Sequence, residues 1–141
     1  MKIAVDFDGT IVEDKYPNIG KEIPFAIETL KKLQERGHLI ILWTYREGKE
    51  LQEAIDYCKK RGLEFYAVNK NFPEEKPEHN MPRKINADIY IDDRNIGGIP
   101  EWGVIWQMIT NENLEFYKKK SKNFFSLFIR FLLRHFFCKM K

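Results

Sequence analysis

The sequence predicts an α/β fold built on a mainly parallel sheet. Three observations carry that reading. Four short apolar runs, at 2–6, 38–44, 63–69 and 87–93, are separated by amphipathic or loop-rich stretches. The repeat of one strand and one helix takes about 30 residues, the length of a βαβ crossover. The runs also end in polar, chemically capable residues, as strand ends facing a ligand do in open sheets.

Each element follows from its own residues. "KIAVD" at 2–6 is a short buried strand stopped by acids and a glycine. Residues 11–22 hold Pro17 and Gly20 and read as a loop or small flap. Pro24 suits the first turn of a helix, in which Phe25, Ile27, Leu30 and Leu33 form the apolar face and Gly37 the stop. "HLIILWT" is continuously apolar, as a strand buried on both faces should be. "KELQEAIDYCKKRG" is a second helix with Leu51, Ile55 and Cys58 on one face and Gly62 as its stop. "LEFYAVN" is a third strand, and the three prolines of "NFPEEKPEHNMPRK" make residues 71–84 a loop. "ADIYIDD" is a fourth strand ending in acids, and "WGVIWQMI" a last helix. With helices on both faces this is a Rossmann-like three-layer sandwich.

The strand ends gather a specific set of groups. Asp6 and Asp8 close the first run, Thr44, Tyr45 and Arg46 the second, and Asp92, Asp93 and Arg94 the fourth; Lys84 stands just before the fourth. Several carboxylates with no thiol or imidazole suit a hard cation, most simply Mg²⁺. A lysine and a hydroxyl beside a cation make a phosphate site, and a carboxylate can be a nucleophile toward phosphorus.

"DFDGTIV" resembles the first motif of the haloacid dehalogenase superfamily, an aspartate pair and Gly-Thr after a buried strand. That family's later motifs are a Thr or Ser ending the next core strand, a Lys upstream of the fourth and an acidic pair at its end. Thr44, Lys84 and "YIDD" match them in order, over roughly residues 1–111. The resemblance implies a phosphatase. Asp6 is then the nucleophile, Asp8 the acid and base, and Thr44 and Lys84 partners of the phosphoryl group. Mg²⁺ would lie on Asp6, the Asp8 carbonyl and Asp93, with Asp92 behind. Gly9, Thr10, Tyr45 and Arg46 line the substrate side. Arg46 has two readings, a solvated helix-start residue or a contact to substrate phosphate. Arg83 and Lys70 compete with Lys84 for its role.

The family often carries a cap domain, but the 33 residues between Thr10 and Thr44 and the 39 between Thr44 and Lys84 are used up by the elements above. A HAD-like domain without a cap is expected over 1–113. Its open site suits a bulky substrate or closure by a second subunit in a homo-oligomer. Small proteins with this "DDRN" ending resemble ones tied to surface-polysaccharide genes, which implies a sugar phosphate. Two other classes compete. A receiver-type phospho-acceptor domain wants an acid at the end of the third strand, where "LEFYAVN" has none. A scaffold that has lost turnover, held at a membrane by its tail, conflicts with the complete motif set.

The tail, 114–141, is a different composition. It holds eight Lys/Arg and one acid, Glu115, while the whole chain is only +3, so the body is mildly acidic. Phe124 to Phe137 spans 14 residues and contains Arg130, Arg134 and His135, too short and charged for an ordinary membrane span. Ser126, Arg130 and Arg134 make one polar stripe on a helix. Two readings stay open: a helix lying in the membrane interface through 118–141, or one packing on protein. So many apolar residues disfavour nucleic acid. Cys58 and Cys138 form no CxxC, and His38 and His79 have no metal-ligand spacing. The first residues show no secretory pattern, so the expected location is cytoplasmic, at the inner membrane face if the tail binds lipid.

Overall fold

The structure, a computed structural model, describes residues 1–76 and 82–110. The tail from 114, including Cys138, and the part of the loop holding His79 lie outside the described residues. The chain divides into two compact units, Met1–Gly103 and Val104–Lys141.

The elements run β1 (Lys2–Val5), α1 (Ala26–Glu35), β2 (Leu39–Leu42), α2 (Gly48–Lys59), β3 (Ala67–Val68), β4 (Ile89–Ile91) and α3 (Trp102–Thr110). All strand pairs are parallel, in the order β3-β2-β1-β4. The predicted α/β class and strand alternation are therefore the observed ones. In β1, Ile3, Ala4 and Val5 are all buried, and in β2 so are Ile40, Ile41 and Leu42. Successive strand residues point to opposite faces, so both faces of the sheet centre are covered. Below β2, Ile41 packs with Ala4, Ala67 and Ile85.

Register decides what the sheet presents. Val5 pairs with both Leu42 and Ile91, and Leu42 also pairs with Val68. All four strands therefore end at one level. The ladder continues one residue further, with the N–H groups of Asp6, Trp43 and Asn69 donating to Ile91, Val5 and Leu42. Asp6, Trp43, Asn69 and Asp92 leave the sheet side by side, with Thr44 one residue beyond Trp43.

The strands are shorter than their apolar runs. The flanking residues hydrogen-bond outside the regular ladder: Lys2 N–H donates to the Asp88 carboxylate at 2.7 Å, and Thr44 N–H to Asn69 Oδ1 at 2.8 Å. α1 begins two residues after Pro24. Phe25 takes a left-handed backbone (φ 67°) and is 66% exposed, so it is not on the apolar face; Ala26, Ile27, Leu30 and Leu33 form that face. Both helices stop where expected. Around Gly37 and Gly62 the chain closes in Schellman fashion, with His38 N–H reaching Leu33 and Leu63 N–H reaching Cys58. On α2, Ala54 and Cys58 are buried, and burial pushes the Cys58 thiol up to about 12.

The flap at 11–22 is anchored at its base. Ile11 and Val12 are fully buried, and Val12 bridges to both Asp8 and Glu22. Residues 13–18 are exposed.

Ile41 sits on the central pair of strands with no exposed surface. Ile41→Ala should cost about 2–5 kcal/mol of stability, read as a lowered denaturant midpoint with an unchanged slope.

Candidate active site

The sheet edge brings three carboxylates together. One oxygen from each of Asp6, Asp92 and Asp93 lies within 4.8 Å of the others. Asp6 feels this most. Burial first, then the charges of Asp92, Asp8 and Asp93, push its carboxyl up to about 7, against a lowering hydrogen bond from the Phe7 backbone. Burial and the Asp92 charge also raise Asp93. Three acids held this close in a half-buried site need a positive partner.

Asp93 is placed by parts distant in sequence. Its N–H donates to Thr10 Oγ1 at 3.1 Å. Thr10 is itself fully buried, and its carbonyl accepts a hydrogen bond from Trp102 Nε1 at 3.1 Å. Gly9 has φ 78°, and a Cβ there would lie 2.4 Å from Asp93 Oδ2. The missing side chain is thus the space the Asp93 carboxylate occupies. Among the described residues, Asp93 Oδ1 is the buried side-chain polar atom without a hydrogen-bond partner. An all-oxygen donor set with one orphaned, buried oxygen fits a hard divalent cation. Asp92 is partly engaged already, accepting the Arg94 N–H at 2.8 Å.

Beside the acids a cleft of about 300 Å³ is lined by Asp6, Asp92, Lys84, Asn95, Trp43 and Tyr90. Lys84 Nζ lies 4.9 Å from the Tyr90 ring centroid, and the Tyr90 hydroxyl is fixed by donating to the Ile85 carbonyl. Of the competing cations, Lys70 is turned to the Pro73 carbonyl and Arg83 is not among the lining residues. Thr44 is nearly buried. Its N–H is held by Asn69, and its Oγ1 accepts the Arg46 N–H at 3.2 Å, which leaves its O–H free to donate.

Asp8 faces elsewhere. Both its oxygens accept from Arg46, Nε to Oδ2 at 2.6 Å and Nη2 to Oδ1 at 2.7 Å, with the two side chains 2% and 0% exposed. The same guanidinium donates to the flap carbonyls of Pro17 and Asn18. The solvated reading of Arg46 is thereby corrected, since its guanidinium is buried and its donors are taken by Asp8 and the flap. The Thr10 side chain faces inward, its hydroxyl oxygen accepting the Asp93 N–H. Tyr45 stays at the surface, 56% exposed. Asp8 and Arg46 are not among the residues lining the cleft.

Asn69 is the positioning residue that sequence reasoning missed. It has φ 52°, a conformation asparagine tolerates better than most residues. A polar residue closing an apolar run was the only available signal.

The family model for haloacid dehalogenase-like hydrolases matches residues 3–99. The chain belongs to this family. A conserved protein coded by a locus of Bacteroides thetaiotaomicron is similar among solved structures, at 61% identity and a TM-score of 0.76, covering 80% of this chain and 92% of that one. Comparison with curated proteins finds no match. As a haloacid dehalogenase-like hydrolase the chain carries the acidic cluster at the sheet edge, and among the described residues no helix is long and apolar enough to cross a membrane.

Two stability predictions follow from the charges. Arg46→Ala leaves the Asp8 carboxylate buried without its partner and should cost about 3–5 kcal/mol, measured by urea unfolding. For Asp6 the folded carboxyl, at about 7, lies above its ordinary value of 3.8. The folded state then binds more protons between those values, so its stability falls as pH rises through that window. Asp6→Asn removes the penalty. In EDTA its melting temperature should exceed the parent's by about 2–8 °C at pH 8, and the gap should shrink toward pH 4.

Proposed function

We propose that the chain is a Mg²⁺-dependent phosphomonoester hydrolase that works through an aspartyl-phosphate on Asp6. The observation that carries this is the orphaned Asp93 Oδ1 within the Asp6–Asp92–Asp93 cluster, next to Lys84 and two residues from a second, differently held acid. Asp6, Asp93 and the Asp8 carbonyl would hold the ion, with Asp92 behind them. Bound there, Mg²⁺ supplies the positive charge that keeps the acids ionised and offsets the phosphoryl oxygens.

Asp6 attacks phosphorus, forming an Oδ–P bond as the bond to the leaving oxygen breaks. The electron pair goes to that oxygen, which takes a proton from Asp8. Asp8 then removes a proton from a water whose oxygen attacks the same phosphorus. The Oδ–P bond breaks, Asp6 is again a carboxylate, and inorganic phosphate leaves. Lys84 neutralises charge on the transferred group, and the free Thr44 O–H donates to one of its oxygens.

The Arg46 contact constrains the sequence of events. With both oxygens accepting from Arg46, neither oxygen of Asp8 is turned to a leaving group. One oxygen must exchange its Arg46 bond for the ester oxygen before the first step. The flap, whose carbonyls of Pro17 and Asn18 hold the same guanidinium, therefore sets when Asp8 is available. The short stretch between Thr10 and Thr44 favours an open site and a substrate larger than the phosphate itself, such as a sugar phosphate.

Purified protein should hydrolyse p-nitrophenyl phosphate with Mg²⁺ and lose that activity in EDTA. Asp6→Asn should lower kcat by about 10³-fold or more. Full activity of that variant overturns the nucleophile assignment.

A further inference from the structure

The phosphatase reading leaves one part of the surface without a task. A stack of rings and guanidinium groups runs outward from the core. The Arg46 guanidinium lies 5.1 Å from the Phe7 ring centroid and 5.2 Å from that of Tyr16. The Tyr16 and Tyr45 rings are 5.0 Å apart, tilted by 50°. Beyond them the Arg94 guanidinium lies 6.0 Å from the Tyr45 ring. The inner members are buried, while Tyr16 and Tyr45 are 45% and 56% exposed and Arg94 is exposed.

Single exposed tyrosines on loops are ordinary. These two are fixed between anchors. On one side Arg46 is held by Asp8 and two flap carbonyls; on the other the Arg94 N–H is held by Asp92. The first anchor is bound to Asp8 and the second has its backbone N–H on Asp92, so the pair of rings lies between the proposed proton donor and the acidic cluster. Fixed aromatic faces take up a ring at little entropic cost. A guanidinium at their edge offers paired donors to a carboxylate or phosphate.

We propose that Tyr16, Tyr45 and Arg94 form the subsite for the leaving group, and that this group is a ring bearing a second negative charge. The proposal rests on the phosphatase reading and names its substrate class. The tyrosines hold the ring, and Arg94 holds the added anion.

Four esters test it with the full chain and Mg²⁺: glycerol 3-phosphate, glucose 1-phosphate, glucuronic acid 1-phosphate and salicyl phosphate. The first lacks a ring and the second lacks the added charge. The last two distinguish a saturated from a flat acid ring. At least one acid ring should exceed glucose 1-phosphate in kcat/KM by about tenfold or more. Arg94→Gln should reduce that ratio about tenfold, and Tyr45→Ala should reduce the ratio of ring to glycerol ester by a similar factor. Calorimetric binding of the same esters to Asp6→Asn, with and without Tyr45→Ala, gives a measurement independent of turnover. Hydrolysis with ratios unchanged by both substitutions overturns the subsite. Binding that depends on Tyr45 without any hydrolysis keeps the subsite and overturns the phosphatase reading. Absence of both overturns both.

Discussion

Mutual repulsion among Asp6, Asp92 and Asp93 is the constraint around which this domain is arranged. The parallel strands β1 and β4 end at one level and bring the acids together, where burial first and like charge next raise Asp6 and Asp93. The fold maintains that arrangement with groups drawn from as far apart as Gly9 and Trp102. Thr10 and Trp102 hold the Asp93 backbone, Gly9 makes room for its carboxylate, and burial keeps Asp6 from water.

A second charge problem is solved beside it by opposite means. Asp8 is more deeply buried than Asp6, Asp92 and Asp93, yet it is matched by a guanidinium in fork geometry. Two acids separated by Phe7 alone thus occupy contrasting environments, one crowded by other acids and one paired with a guanidinium. Phe7 contributes to this directly, since it is fully buried and its ring lies under the same guanidinium.

The alternation of strands and helices, the helix stops and the acid-bearing strand ends were legible in the sequence. They depend on local signals: continuous apolar runs, glycine after a helical face, and charge where a buried strand must stop. Phe25 misled because an apolar residue at helical spacing says nothing of the left-handed turn that precedes the helix. Arg46 misled for a related reason. Its partners are Asp8, 38 positions away, and two flap carbonyls, and no pattern near residue 46 reveals either. Asn69 and Trp102 act through a side-chain amide and an indole N–H on backbone groups of remote segments. Contacts of this kind are fixed by tertiary packing, and only the assembled sheet edge exposes them.

The clash that would arise at Gly9 reaches further than the site. An added methyl there would overlap a carboxylate contributed from 84 positions later. Neither segment is therefore free to drift alone: a lineage that gained a side chain at one would have to lose or redirect the acid at the other. The opening motif and the closing acid pair are in that sense a single heritable unit, written in two places.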